Sequence, residues 1–229
     1  YLFSLVDKGI QSILFKYSTI VENSFKTKLA YVLAENLGVH QDEYLNERCF
    51  YKSYNNKLFF SDFKRHCNDI YSGVKPIPQP TKHYMQKHNH IPPWILLKNV
   101  SFGNTINLIR LLQASEQQKL IQMLLPDAAI PYNNKVEFTI SSLNIIREYR
   151  NKIAHNLKFI TFKPTRNKLS PTITTKIVSK NLLRWKDINK NKVAVHDIYA
   201  YILALDLLLG DNYISLKQRY CWRKKCFEQ

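Results

Sequence analysis

Glycine is nearly absent: the 229 residues contain 5. Leucine and isoleucine are common instead, so the composition leans towards helix and away from an all-β sandwich. Acidic residues are also few, 17 Asp plus Glu against 34 Lys plus Arg, which leaves a charge of +17 and a pI near 9.7. An excess of this size points to a polyanionic partner, most often nucleic acid, with a solubilising surface as the plain alternative. Cys49, Cys67, Cys221 and Cys226 form no C-x-x-C pair and nothing like a disulfide framework. Reduced thiols in a cytoplasmic protein are therefore expected. The longest apolar run, residues 198–209, is too short to cross a bilayer and contains Asp206, so no membrane partner is expected. There is no signal-peptide pattern and no G-x-x-x-x-G-K-[ST] loop, which argues against ATP hydrolysis. The chain starts at Tyr1 and not at Met, from which we expect upstream residues to have been removed or not included. Hydrophobic residues make up 45%, enough for a real core in one large domain or one domain with an insertion.

Periodicity divides the chain. Residues 2–37 carry apolar groups at three and four spacing and predict a long helix stopped by Gly38. Residues 39–60 read as loop with a short helix, and Ser61 or Asp62 as the cap of a helix to Tyr71. Residues 61–95 form a polar, proline-rich insertion, in which five prolines make 73–94 irregular or extended. Helices are expected over 104–113, over 115–125 from a Ser115/Gln118 capping box, over 138–158 with Ser141 or Ser142 as cap, and over 195–209. Residues 159–178, rich in Thr, Ile and Phe around 165-TRNKLSP-171, predict a β-hairpin within a basic hairpin and loop spanning 159–192. A basic tail follows over 211–229.

The segment 147-REYRNKIAHN-156 departs from an ordinary packed helix. With Arg150 at zero on a wheel of about 100° per residue, Leu143 and Leu157 fall within about 20° and Ile146 and Ile153 within about 60°. Arg150 thus occupies a leucine position in an apolar seam, while Arg147, Asn151 and His155 line one flank. A buried guanidinium needs a partner. Either a carboxylate such as Glu22 or Glu35 pairs it, or it faces a cleft that admits an anion. Arg suits phosphate through its bidentate fork, and imidazole exchanges protons near neutral pH. Together with an amide they can bind a phosphodiester and move its protons without a metal.

The stretch 150-RNKIAH-155 resembles the R-x4-6-H motif of the HEPN superfamily. Three segments resemble its Abi-like (AbiD/AbiF) abortive-infection branch: 20-IVENSFKTKLAYVLAENLG-38 (E-x3-[RK]-T), 92-PPWILLKNVSFGNTINLIRLL-112 (P-x-W-x6-[ST]-F-G) and 147-REYRNKIAHN-156. The likeness covers about residues 1–210 and implies a mainly all-α, HEPN-like helical bundle, a single domain over 1–229 whose family N-terminal part is absent. It implies a metal-independent endoribonuclease of phage defence giving 2′,3′-cyclic phosphate ends, with His155 as general acid or base, Arg150 on the phosphate and Asn151 orienting. It further implies a homodimer through the Arg150/His155 helix, no cofactor and no metal, and in some members a bound small non-coding RNA.

Charge supports an RNA partner independently. Residues 147–192 hold 13 Lys or Arg against two acids. The candidate RNA contacts are Arg147, Lys152, Lys158, Lys163, Arg166, Lys168, Lys176, Lys180, Arg184, Trp185 and Lys186, with Arg219, Trp222, Arg223 and Lys224 in the tail. Phe159, Phe162 and Trp185 could stack unpaired bases. His83, His88 and His90 with Cys67 match no common zinc spacing and read as loop residues. Trp94 reads as a packing anchor, and Phe102 with Gly103 as a turn before a helix. Two other readings remain open. One is an RNA-binding protein that grips a structured non-coding RNA without cutting it. The other is a helical toxin or antitoxin held by protein contacts.

Overall fold

The computed structural model describes residues 2–50, 54–72, 79–125, 130–155, 157, 160–178 and 183–209. Among them are eleven α-helices, one 3₁₀ turn and no strand, so the fold is all-α. Two compact units are present: one from the described parts of residues 1–21 and 125–229, the other from the described parts of residues 22–124.

α1 (Leu2–Leu37) contributes its first part to one unit and its second part to the other. It stops where expected: Gly38 has φ +100°, and a side chain there would collide with Glu43. In the second unit α1 buries Phe25, Leu29, Val32 and Leu33. The chain continues through α2 (Gln41–Tyr44), a 3₁₀ turn (Glu47–Cys49), α3 (Tyr54–Tyr71), α4 (Gln79–His88), α5 (Pro93–Asn99), α6 (Phe102–Leu111) and α7 (Ala114–Leu124).

Several expected boundaries move. α3 starts seven residues before Ser61, and Asp62 is no cap but accepts from Arg65 Nη2 at 3.0 Å on the exposed helix face. α4 lies where the prolines suggested irregular chain, because Pro80 sits in its first turn, where no N–H is required. Pro93 likewise opens α5. Phe102 and Gly103 start α6 rather than precede it, capped by Ser101, whose Oγ accepts from the Asn104 N–H at 3.2 Å. Trp94 is no anchor: it is 42% exposed, while Pro92, Pro93 and residues 95–97 are buried. Ser115 donates to Glu116 at 2.8 Å and forms no capping box with Gln118.

In the first unit α8 (Tyr132–Ala154) is the central helix. Phe138, Thr139, Ile140, Ser142, Leu143, Ile145, Ile146 and Tyr149 are all buried, on more than one face. Neither Ser141 nor Ser142 caps it. The helix begins after Pro131, whose carbonyl accepts from the Asn134 and Lys135 N–H groups at 3.0 Å each. α11 (Ile198–Leu209) packs along α8. Its start is set by Asp197, whose Oδ1 accepts the Ala200 N–H at 3.0 Å. The rings of Tyr149 and Tyr201 stack in parallel with centroids 4.5 Å apart. The Tyr201 hydroxyl donates to the Leu14 carbonyl at 3.1 Å and lies 2.6 Å from Ser18 Oγ, fastening α11 to α1.

The expected β-hairpin is not formed among the described residues. Residues 160–170 are irregular, and α9 (Pro171–Ile177) and α10 (Trp185–Asn189) follow. The Thr/Ile run has helical and not alternating burial: adjacent Ile173 and Thr174 are both buried. Pro171 opens α9, and Pro164 interrupts any first strand.

Candidate functional site

The end of α8 carries the motif. The apolar seam read from the sequence is an intramolecular core at its start, since Leu143 and Ile146 are fully buried within one chain. Further along, Arg150 is half-buried, Ile153 is still buried, and Leu157 at the end is 46% exposed. The seam is therefore not free along its length to meet a second copy; Arg150 in part and Leu157 are its accessible residues.

The helix stops at Ala154, short of the expected 158. His155 occupies the C-cap with φ −87° and ψ 11°, its N–H still donating to the Asn151 carbonyl at 3.0 Å. The Leu157 N–H reaches back to the Lys152 carbonyl at 3.0 Å, a six-to-one closure of the kind that ends helices. His155 and Asn151 are exposed at this end.

Arg150 and Asn151 are coupled: Arg150 Nη1 donates to Asn151 Oδ1 at 3.2 Å. Beneath the guanidinium lies the ring of Phe15 on α1, 6.0 Å from Cζ to centroid. Arg147 is half-buried, and its Nε has no hydrogen-bond partner among the described residues. Glu22 pairs with Lys26 at 3.0 Å, and Glu35 pairs with Lys119. The Glu35 carboxyl is held below its ordinary range by the Lys119 hydrogen bond.

The chain beyond the motif is pinned back onto α8. The Tyr149 hydroxyl donates to the Phe162 carbonyl at 2.6 Å, and its ring meets Phe162 edge to face at 5.1 Å. Burial is the main force that pushes the Tyr149 hydroxyl up from its ordinary value. Lys152 Nζ lies 4.8 Å from the Phe162 centroid, and Asn167 Nδ2 donates to Glu148. Phe162 is thus a packing residue and Lys152 covers its ring, which corrects the reading of Phe162 as a stacking platform. Lys163, Arg166, Lys168, Lys176, Arg184, Trp185 and Lys186 are exposed. Lys158, Phe159 and Lys180, with Arg219, Trp222, Arg223 and Lys224 of the tail, lie outside the described residues.

The histidines regroup. His88 and His90 are joined by His40, which the sequence did not suggest, with centroids 4.5 Å apart for His40–His90 and 6.1 Å for His88–His90. Cys67 is fully buried, its thiol pushed up to about 12 by desolvation. Among the described residues no cluster of three His, Cys, Asp or Glu can hold a metal ion, and no helix is long and apolar enough to cross a membrane.

Two motif segments meet in the second unit. Lys26, paired to Glu22, donates to the Val100 carbonyl at 2.8 Å, and the rings of Phe25 and Phe102 lie 6.2 Å apart. The E-x3-K-T helix and the S-F-G segment therefore form one structural latch. Neither a curated protein nor a solved structure matches the chain. The family model described as Abi-like protein matches residues 1–161, a span that holds all three motif segments. The chain thus belongs to the Abi-like protein family, and with it to abortive infection, a defence against phage.

Proposed function

We propose that the chain is a metal-independent endoribonuclease of the HEPN type, cutting RNA at the open end of α8. The observation that carries this reading is the grouping of Arg150, Asn151 and His155 on one accessible helix end, with Arg150 oriented by Asn151 Oδ1 and by the Phe15 ring. In this reading Arg150 binds the scissile phosphate and stabilises the charge that grows on it. An imidazole takes the proton of the 2′-hydroxyl, whose oxygen attacks phosphorus. The P–O5′ bond breaks, and a second imidazole protonates the leaving oxygen. The products are a 2′,3′-cyclic phosphate and a 5′-hydroxyl. Two proton transfers with one motif histidine per chain favour a homodimer in which each copy supplies one His155. Leu157, with the exposed Asn151 and His155 beside it, is the part of this end available for that contact. Arg147 is a second phosphate ligand.

The exposed cations at 163, 166, 168, 176, 184 and 186 hold the rest of the RNA by charge. The test is His155→Ala assayed on RNA in EDTA. Wild-type cleavage that survives chelation, yields cyclic phosphate ends and vanishes in the variant is the expected result. Cleavage lost on chelation, or unchanged in the variant, overturns it. Salt-sensitive RNA binding with no cutting by the wild type replaces it with the reading in which the protein grips an RNA without cleaving it.

A further inference from the structure

Trp185 is the most exposed large apolar side chain among the described residues, at 58%. It is not a loosely held group on a frayed segment. α10 is anchored by Ile188, which is buried, and is tied to α9 by Asn189 Nδ2, which donates to Thr175 Oγ1 at 3.1 Å. α9 is anchored in turn by Ile173 and Thr174. An indole left in water on a fixed support has given up the apolar burial that normally retains tryptophan.

Its surroundings are cationic. Arg184 and Lys186 flank it in sequence, Lys190 follows one turn after Lys186, Lys176 closes α9, and all four are exposed. Asp187 is the single acid between residues 157 and 196. Its oxygens accept from the Arg184 backbone N–H at 3.1 Å and from the Asn191 side-chain amide Nδ2 at 3.3 Å. A rigid aromatic face ringed by cations suits unpaired nucleic acid, in which a base stacks and the neighbouring phosphates are neutralised. Duplex bases are already stacked on one another and cannot reach the indole. These helices lie beyond residues 1–161, so the family match does not account for them.

We infer that α9 and α10 form a single-stranded RNA platform, separate from the Arg150/His155 end of α8, on which Trp185 stacks one unpaired base while Arg184, Lys186 and Lys190 hold adjacent phosphates. The inference rests on RNA being the partner and does not require that this RNA be cut.

The test uses the full chain carrying His155→Ala, so that the probe is not consumed, and compares it with the same chain carrying Trp185→Ala or Trp185→Phe. Fluorescence anisotropy follows a labelled 12-nucleotide single strand of oligouridine and a duplex of equal length. Trp185→Ala weakens single-strand binding by about tenfold, Trp185→Phe restores most of it, and duplex binding changes by less than about twofold. Circular dichroism and melting temperature stay unchanged, because the side chain is in solvent. Equal single-strand affinity for all three proteins overturns the inference and leaves the indole as a docking point for a protein. Equal losses on single strand and duplex overturn it as well. Failure of the cleavage reading shows itself separately, as uncut RNA with the wild-type protein while the Trp185 effect persists.

Discussion

The guanidinium of Arg150 rests over the ring of Phe15, 6.0 Å from its centroid, across 135 residues of sequence. The ring supports the cation from one side while Asn151 accepts from it on another. Phe15→Leu keeps the apolar body and removes the π face. Stability should fall by no more than about 1 kcal/mol. Under the proposed nuclease reading, RNA turnover should fall by about tenfold through misplacement of Arg150. Turnover equal to wild type would show that the ring does not position the guanidinium.

Lys26 links Glu22 on its own helix to the Val100 carbonyl at the end of α5. Both side chains of the pair are largely shielded from water. Lys26→Met leaves Glu22 without that cation and should cost about 2 kcal/mol, read as a lower denaturant midpoint at constant slope. The double variant Lys26→Met/Glu22→Gln should recover part of the loss. A double variant as unstable as the sum of the single ones would mean that the two residues act independently.

Tyr149 and Tyr201 are both pushed up from the ordinary tyrosine value, chiefly by burial. The folded chain therefore keeps protons that the unfolded chain loses above about pH 10. Their contribution to stability is complete below that pH and declines as pH rises towards the folded values. The melting temperature should drop between pH 9 and pH 11, with a shallower decline in Tyr201→Phe. Parallel declines in wild type and variant would remove Tyr201 from the account.

Cys67 is fully buried with its thiol raised to about 12, whereas Cys49 is partly exposed. Under native conditions iodoacetamide should label Cys49 well before Cys67, since the thiolate is the reactive form. Peptide mapping by mass spectrometry reads the order. Cys67 labelled at the rate of Cys49 would mean that α3 opens readily.

Helix-scale features were legible because they are local. The span of α1, its stop at Gly38 and the end of α3 at Tyr71 follow from spacing and from one residue's backbone freedom. The opening of α8 was not, because burial of Phe138 and Thr139 on a central helix outweighs the capping preference of Ser141 and Ser142. The Thr/Ile run at 172–177 has strand propensity, yet it is helical, because Ile173 and Thr174 face one core side by side. The prolines at 80 and 93 were read as breakers and act as helix starts, a choice that depends on where the first turn falls.

By itself the sequence determined the helical character, the basic charge and the order Arg150, Asn151, His155, since composition and four-residue spacing are properties of the chain. Only the tertiary structure decided that the seam is buried at Leu143, Ile146 and Ile153, half-buried at Arg150 and exposed at Leu157. The same holds for Phe15 beneath the guanidinium, for the use of Phe162 in packing and for the exposure of Trp185. These are long-range outcomes: whether a side chain meets water or another side chain depends on which distant elements cover it, and no local pattern encodes that.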